Sequence, residues 1–307
     1  MENVDNHKVV CFGEVLWDIL PLGSIPGGAP MNVAYHLHKQ GKNPALITSI
    51  GADKEGEELI QLFSEFGACT NFFQADFKHS TGKVYAHPNE HNEVVYDIVK
   101  PAAWDFIKYE EGHLNLVSQA VYFVYGSLAA RNQDSKKTLL QLLEAAENKV
   151  LDINLRAPHF NRRLVEELLG KADFLKLNLA ELELITGWFS NFKNISDRVR
   201  SIADKFRIQN IVVTMGGNGS IMYYNGHEYM HNGYQVDVVD TVGSGDAFLA
   251  GLLSKFLEKA QPEAALEFAS ALGAFIATKT GACPAYDVVA LTDFIDYKSR
   301  SHLKRFN

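Results

Sequence analysis

The segment Asp240–Leu253, DTVGSGDAFLAGLL, has the composition of an anion-binding turn that opens a helix. Gly243, Ser244 and Gly245 allow close backbone approach to a ligand, and the first turn of a helix presents unpaired N–H groups at its positive end. Asp246 follows, either as a helix cap or as a base for a hydroxyl that attacks phosphorus. Ser244 is a second candidate for the cap, which favours Asp246 as the base of a phosphoryl-transfer site, and both interpretations stay open on these residues alone.

A second set of small and polar residues lies near the N-terminus. Gly27 and Gly28 permit close backbone approach, and Asn32 offers both a donor and an acceptor to sugar hydroxyls. Asp18 follows the first strand-like run. By turn chemistry alone, a glycine pair before Asn is more often a plain turn and helix cap. This set is therefore a weak signal when taken alone.

Two polar motifs follow predicted strands in the middle of the chain. Asn178 and Glu181 in NLAE offer oxygen ligands to a hard cation, but the same spacing forms a capping box. Arg156 ends the run DINLR, where α/β enzymes bind ligands beyond the carboxyl ends of strands. A solvated surface arginine is the alternative interpretation.

Together these motifs resemble the two signatures of the PfkB, or ribokinase-like, sugar kinases. DTVGSGDAF is similar to the second signature, D-T-x-G-[AS]-G-D-x-F, and GGAPMNVA at 27–34 is similar to the first. The resemblance spans nearly the whole chain, since TMGGNGS at 214–220 and ALGAFIATKTGACPA at 271–285 resemble nucleotide-side segments. It implies ATP-dependent transfer to a primary sugar hydroxyl, with Asp246 as the catalytic base and Gly243, Ser244 and Gly245 as the anion hole.

The resemblance also implies the other ligands. It assigns Mg²⁺ to Asn178 and Glu181, partly through water, and a candidate K⁺ site to Asp240. The sugar contacts fall to Asp18, Gly27, Gly28, Asn32 and Arg156, and the ATP contacts to Thr214, Gly216, Gly217, Gly219 and Gly273.

Fructose is the first expected acceptor, because GEVLWD, GGAPMNVA and DINLR look most like the fructokinase branch. The alternatives are 2-keto-3-deoxygluconate kinase, which shares D-x-N-x-R, and then ribokinase or a nucleoside kinase. A non-catalytic sugar or nucleotide sensor stays open as a different class, since fold does not fix function. A dinucleotide-dependent oxidoreductase is disfavoured, because no G-x-G-x-x-G follows the first strand.

The elements that must position these residues alternate between short apolar runs and amphipathic segments. This alternation predicts an α/β fold, a central mostly parallel sheet flanked by helices on both faces, in one ribokinase-like domain over 1–307. Thr81–Asp97 instead predicts a hairpin, which we assign to a small β lid over roughly 14–30 and 80–102. The predicted strands are Lys8–Phe12, Pro44–Ile50, Ala120–Val124, Lys149–Ile153, Phe174–Leu177, Asn210–Thr214 and Val236–Val239.

The C-terminal third contains a second hairpin and two helices. Asn225-Gly226 predicts a type I′ turn, because both residues adopt positive φ readily. Helices are expected over Ser244–Lys259 and Pro262–Lys279, with Gly281 as the C-cap of the second. Another helix is expected over Ser135–Glu147.

Composition restricts the partners. The chain has 307 residues and a formal net charge of −8, which disfavours nucleic acid and anionic membranes as partners. Its three cysteines form no C-x-x-C pair, so neither a disulfide framework nor a zinc site is predicted. We expect a cytoplasmic protein whose partners are a small sugar and ATP, with a homodimer through the lid as a further expectation.

Overall fold

The computed structural model describes residues 7–20, 23–88 and 94–303. The chain forms two compact units. The first unit comprises Met1–His38 and Asn43–Ala172, and the second comprises Lys39–Lys42 and Asp173–Asn307. No helix in the described part of the chain is both long enough and apolar enough to cross a bilayer.

The first unit contains strands β1 to β9 and helices α1 to α5. The strands are β1 Val9–Phe12, β2 Leu16–Leu20, β3 Gly23–Gly27, β4 Ala45–Gly51, β5 Phe73–Asp76, β6 Gly82–Pro88, β7 Val94–Ile98, β8 Tyr122–Gly126 and β9 Lys149–Asp152. The helices are α1 Ala29–Lys39, α2 Lys54–Glu65, α3 Glu111–Gln119, α4 Gln133–Leu143 and α5 Arg162–Leu169.

Five of these strands form a parallel sheet in the order β9-β8-β1-β4-β5. Its central strand, β1, is buried along its whole length, and Val10 pairs with Ala45 on one side and Phe123 on the other. Continuous burial explains why β1 is an apolar run rather than an alternating one, whereas the edge strand β5, FQAD, is mostly half-buried. The α/β class and the mostly parallel sheet are thus confirmed.

Helix α4 starts two residues before the predicted Ser135 and stops before Glu147. Asn132 determines the start, because its side chain accepts a hydrogen bond from the Asp134 N–H as an N-cap.

A separate sheet of order β3-β2-β6-β7 lies in the same unit. The hairpin predicted over Thr81–Asp97 is confirmed by the antiparallel pairing of β6 with β7, whereas residues 89–93 of its turn lie outside the described residues. The sheet has its own apolar cluster, which is formed by Leu16, Val84, Ile98, Ala102, Trp104 and Leu128. Its strands fall within the segments that were assigned to a lid.

The second unit contains β10 Phe174–Asn178, β11 Asn210–Thr214, β12 Ser220–Tyr224, β13 His227–His231, α6 Leu179–Thr186, α7 Ile195–Phe206, α8 Ser244–Leu257, α9 Pro262–Ala277 and α10 Val288–Leu303. Strand β10 runs parallel to β11, and β12 and β13 continue the sheet in antiparallel pairing. The predicted turn at Asn225-Gly226 is confirmed, with φ values of 49° and 83°. Helices α8 and α9 approach closely, since a Cβ on Gly251 would lie 3.2 Å from the Ala269 Cα.

Two local predictions in this unit are wrong. Val236–Val239 forms no strand, and the N–H of Val239 donates instead to the Ala277 carbonyl at the end of α9. Val238 and Val239 are exposed, so this apolar run is not a buried one. Gly281 is not the C-cap of α9, because the helix ends at Ala277 and Thr278 is the cap.

Candidate active site

The first turn of α8 is built as an anion-binding turn in the second unit. Gly243 is the N-cap with φ 75°, and a Cβ there would lie 2.6 Å from the Ala282 Cα, so only glycine fits. Ser244 is the first helical residue rather than the cap that the sequence suggested, and its hydroxyl donates to the Gly273 carbonyl at 2.9 Å. This bond holds the first turn of α8 against α9.

Asp246 is the third residue of α8 and only 9 % exposed. The N-cap residue, Gly243, has no side chain, and no side-chain hydrogen bond caps the helix. The interpretation of Asp246 as an N-cap is therefore not realised. Burial, and in addition the negative charge of Asp246, raise the pKa of the Cys283 thiol well above its ordinary value, so this neighbour stays a neutral thiol.

Lys176 is a candidate functional residue that the sequence reasoning missed. It lies within β10 and is only 7 % exposed. A Cβ on Gly245 would lie 2.9 Å from the Lys176 Nζ, so the ammonium group sits against the first turn of α8. A cation beside a helix N-terminus strengthens the same preference for an anion. The signal in the sequence was the lysine inside the apolar run FLKL, because lysine is rarely buried.

Asn178 and Glu181 form the capping box that was the alternative to a metal site. The Asn178 side chain accepts from the Glu181 N–H at 2.9 Å, and the Glu181 carboxylate accepts from the Asn178 N–H at 2.8 Å. Asn178 ends β10 two residues after Lys176, so both side chains lie on the same face of the strand. Thr214 is the register partner of Asn178 at the end of β11. The structure therefore brings these four residues to one edge of the sheet.

The predicted nucleotide-side glycines fall into two groups. A Cβ on Gly219, which has φ 91°, would overlap the His231 carbonyl oxygen, and a Cβ on Gly273 would lie 3.1 Å from the Ser244 carbonyl oxygen. Close packing therefore explains why glycine occupies these two positions. Gly216 and Gly217, by contrast, are exposed just beyond the end of β11.

Asp240 joins two loops next to α8. One carboxylate oxygen accepts from the Val242 N–H and the other from the Gly281 N–H, each at 2.9 Å. Gly281 has φ 77°, a conformation that favours glycine. The pair fixes the backbone on both sides of the anion-binding turn.

In the first unit, the predicted sugar residues meet where β2 and β3 precede α1. A Cβ on Gly27 would lie 2.4 Å from the Asp18 carboxylate, and a Cβ on Gly28 would lie 2.3 Å from the Glu14 carbonyl oxygen. The contact at Gly28 is with backbone and requires glycine, whereas the contact at Gly27 is with the end of the Asp18 side chain. Asn32, in the first turn of α1, is 4 % exposed, and its N–H donates to the Gly28 carbonyl at 2.8 Å.

Arg156 is not brought to this group by any described contact. Its side chain is exposed and donates to the carbonyl of its neighbour Leu155 at 3.4 Å. The solvated arginine that the sequence left open agrees with this position.

Comparison with known proteins adds an independent observation. Residues 6–288 match the model of the pfkB family carbohydrate kinases. Probable fructokinase-2 of Arabidopsis thaliana is 28 % identical over 92 % of this chain and 94 % of its own length.

Two solved structures share the fold. A fructokinase from Xylella fastidiosa with bound ATP has a TM-score of 0.85 and 23 % identity, covering 95 % of this chain and 99 % of that one. A double mutant of the fructokinase from Vibrio cholerae O395, with fructose, ADP and potassium bound, has a TM-score of 0.81 and 25 % identity, covering 94 % of this chain and 98 % of that one. These likenesses confirm the fold that the motifs implied.

Proposed function

The chain belongs to the pfkB family of carbohydrate kinases, and on this basis we propose that it transfers the γ-phosphoryl group of ATP to fructose, forming fructose 6-phosphate and ADP. The observation that carries the proposal is the first turn of α8, where a buried carboxylate and a buried ammonium group lie at a helix N-terminus. The fructokinases among the relatives support fructose as the acceptor.

In the proposed reaction, Asp246 accepts the proton of a primary sugar hydroxyl. The hydroxyl oxygen bonds to the γ-phosphorus, and the bond from that phosphorus to the bridging oxygen breaks, so that ADP leaves with the electron pair. The backbone N–H groups of Gly243, Ser244 and Gly245 stabilise the charge on the transferred group, together with the Lys176 ammonium. Catalysis then rests on positioning and electrostatics.

The divalent ion in this proposal is Mg²⁺, held by Asn178 and Glu181 partly through water. Amide and carboxylate oxygens suit this ion, which needs only one or two carboxylates when phosphates and water supply the other ligands. Among the described residues no group of three or more His, Cys, Asp or Glu side chains is placed to hold a metal ion, so phosphate and water would have to supply most of the ligands. Bound Mg²⁺ would neutralise phosphate charge.

For K⁺ we propose Asp240 and the loop at Gly281. Each Asp240 oxygen accepts one backbone hydrogen bond and keeps a further lone pair for a cation. The potassium in the Vibrio cholerae relative supports this assignment.

For the sugar we propose Asp18 and Asn32 as hydroxyl partners, with Gly27 and Gly28 providing backbone approach. Arg156 remains part of this proposal, although no described contact joins it to Asp18 or Asn32. Thr214, Gly216, Gly217, Gly219 and Gly273 are proposed for the ATP side.

The organisation of the protein is also part of the proposal. We propose one ribokinase-like domain with the small sheet as its lid, a homodimer through that lid, and a cytoplasmic location. The described cysteines are all free thiols, which supports a reducing compartment.

The test measures ADP formation with Mg²⁺ and ATP against fructose, ribose, 2-keto-3-deoxygluconate, adenosine and inosine. Fructose is expected to give the highest kcat/KM. Asp246→Asn keeps the size of the side chain and removes the base, so kcat is expected to fall by about 10² to 10⁴. Asp237→Asn is the matched control, because Asp237 is exposed and lies outside the proposed site.

The outcomes separate the parts of the proposal. Preference for another sugar keeps the mechanism and changes the acceptor. Stabilisation by sugar or ATP without ADP formation would indicate the sensor instead. An Asp246→Asn variant as active as the parent would refute the assignment of the base.

A further inference from the structure

A cavity of about 530 Å³ lies in the first unit, and none of the residues proposed for the sugar or for ATP lines it, although the N–H of the lining residue His159 donates to the carbonyl of Arg156. It lies between the first turns of α4 and α5, and Lys100 borders it from the segment after β7. The side chains that matter for its chemistry are basic: Lys100, Arg131, Lys136, His159 and Arg163.

Two of these cations are already neutralised. Arg131 donates to both carboxylate oxygens of Asp105, at 2.7 and 2.8 Å, and the pair is almost completely buried. Lys136 pairs with Glu167, the acidic residue of the lining, at 2.7 Å. These two pairs add no net charge to the cavity.

Lys100 and Arg163 carry the net positive charge. Lys100 donates to the Arg131 carbonyl at 3.4 Å, and Arg163 is exposed. Neither forms an ion pair with any residue that the structure describes. Within the described part of the chain, the cavity therefore has two cationic side chains without a carboxylate partner.

The backbone contributes charge of the same sign. Gln133 and Lys136 belong to the first turn of α4, and Arg163 and Leu164 to the first turn of α5, so two helix N-termini line one cavity. The pKa of His159 lies below its ordinary value because of burial and the positive charges of Arg131 and Lys100. The negative charges of Asp105 and Asp97 oppose this shift only in part.

We propose that this cavity binds a small phosphate monoester of the size of a sugar phosphate. A monoester carries close to two negative charges, which matches Lys100 and Arg163. The volume lies within the range of ligand pockets and leaves room for a sugar beside the phosphate. The site does not depend on the proposed reaction, although a hexose phosphate, the proposed product, belongs to this class.

Calorimetric titration in phosphate-free buffer tests the site, with inorganic phosphate, fructose 6-phosphate and uncharged fructose as probes. Arg163→Gln removes one lining cation. Arg162→Gln is the matched control, because Arg162 is on the same first turn of α5 but pairs with Glu166 at 3.0 Å and does not line the cavity. Both variants lower the net charge by one unit.

Saturable binding of both phosphate compounds is expected, with fructose 6-phosphate the tighter. Arg163→Gln should weaken a binding component by at least about tenfold, as expected for one charge-assisted hydrogen bond, while Arg162→Gln stays within about twofold. No ATP is present, so a failed kinase assay leaves this test intact. The proposal is overturned if neither phosphate compound binds, or if Arg163→Gln binds them with parental affinity. It is also overturned if Arg163→Gln and Arg162→Gln lose affinity equally. Finally, it is overturned if uncharged fructose is the one probe whose binding Arg163→Gln weakens.

Discussion

Gly245→Ala tests whether Lys176 acts on the transferred phosphoryl group. The new Cβ would lie 2.9 Å from the Lys176 Nζ, whereas ordinary contacts begin at 3.4 Å, so the ammonium must retreat by about 0.5 Å. At an effective dielectric constant of about 20, moving a unit charge from about 3.0 to about 3.5 Å from a phosphate oxygen weakens the attraction from about 5.5 to about 4.7 kcal/mol. The difference of about 0.8 kcal/mol corresponds to a fall in kcat of about fourfold.

The same Gly245→Ala substitution that lowers kcat should raise the stability of the fold. The atom that meets the new methyl group is the end of a flexible side chain, and alanine is favoured over glycine in a helix by about 0.5 to 1 kcal/mol. Gly243→Ala is the contrasting variant, because its φ is 75° and its Cβ would meet the Ala282 backbone at 2.6 Å. It should lose at least about 1 to 2 kcal/mol of stability from the left-handed conformation alone.

The assay combines steady-state ADP formation with thermal unfolding of both variants. We expect Gly245→Ala to show a lower kcat with an unchanged or higher Tm, and Gly243→Ala to show a lower Tm. A Gly245→Ala enzyme with the parental kcat would refute the role of Lys176. If the Tm of Gly245→Ala were as low as that of Gly243→Ala, the inference that the end of the Lys176 side chain shifts to make room for the new methyl group would be refuted.

Three further predictions concern single side chains. Lys176→Met keeps most of the side-chain volume and removes the charge, so kcat should fall by about 10² to 10³ with native circular dichroism; parental kcat would contradict this. Asp240→Ala removes the acceptor of two backbone N–H groups, so Tm should fall and any activation by KCl should disappear; retained activation would exclude this cation site. Burial raises the pKa of Asp53, but hydrogen bonds from Thr81 and from the Gly56 N–H, with the charge of Lys83, hold it below its ordinary value. Its carboxylate therefore stabilises the fold above about pH 4, and this contribution is lost as pH falls further. In urea unfolding, Asp53→Asn should be less stable than the parent at pH 7, and the gap should narrow at pH 3; a constant gap would contradict this.

Local sequence patterns predicted the structure correctly where a strand is buried along its whole length, or where a turn needs residues that adopt positive φ. The strand β1 follows from a continuous apolar run and β4 from an apolar run that Thr48 and Ser49 interrupt, and the turn at Asn225-Gly226 follows from the need for positive φ. The same rule gave a wrong strand at Val236–Val239, because this run is exposed and its backbone bonds to the end of α9. Apolar composition alone does not distinguish these cases.

The capping box at Asn178 and Glu181 also shows what a local pattern cannot distinguish. The spacing allowed a cap and a metal site, and the structure contains the cap. The cap does not exclude the metal, since Mg²⁺ takes most of its other ligands from water and phosphate. Spacing on one short helix therefore could not choose between two uses of the same oxygens.

By itself the sequence determined the residues of the anion-binding turn, the α/β class and the candidate base, because these depend on neighbouring residues along one strand, one turn and one helix. Only the tertiary structure decided that the Lys176 ammonium lies against Gly245, that Gly243 must be glycine because of Ala282, and that Arg163 lines a basic cavity while Arg162 does not. Contacts of this kind join residues that are far apart in the chain. They depend on how helices pack on strands, which no local periodicity encodes.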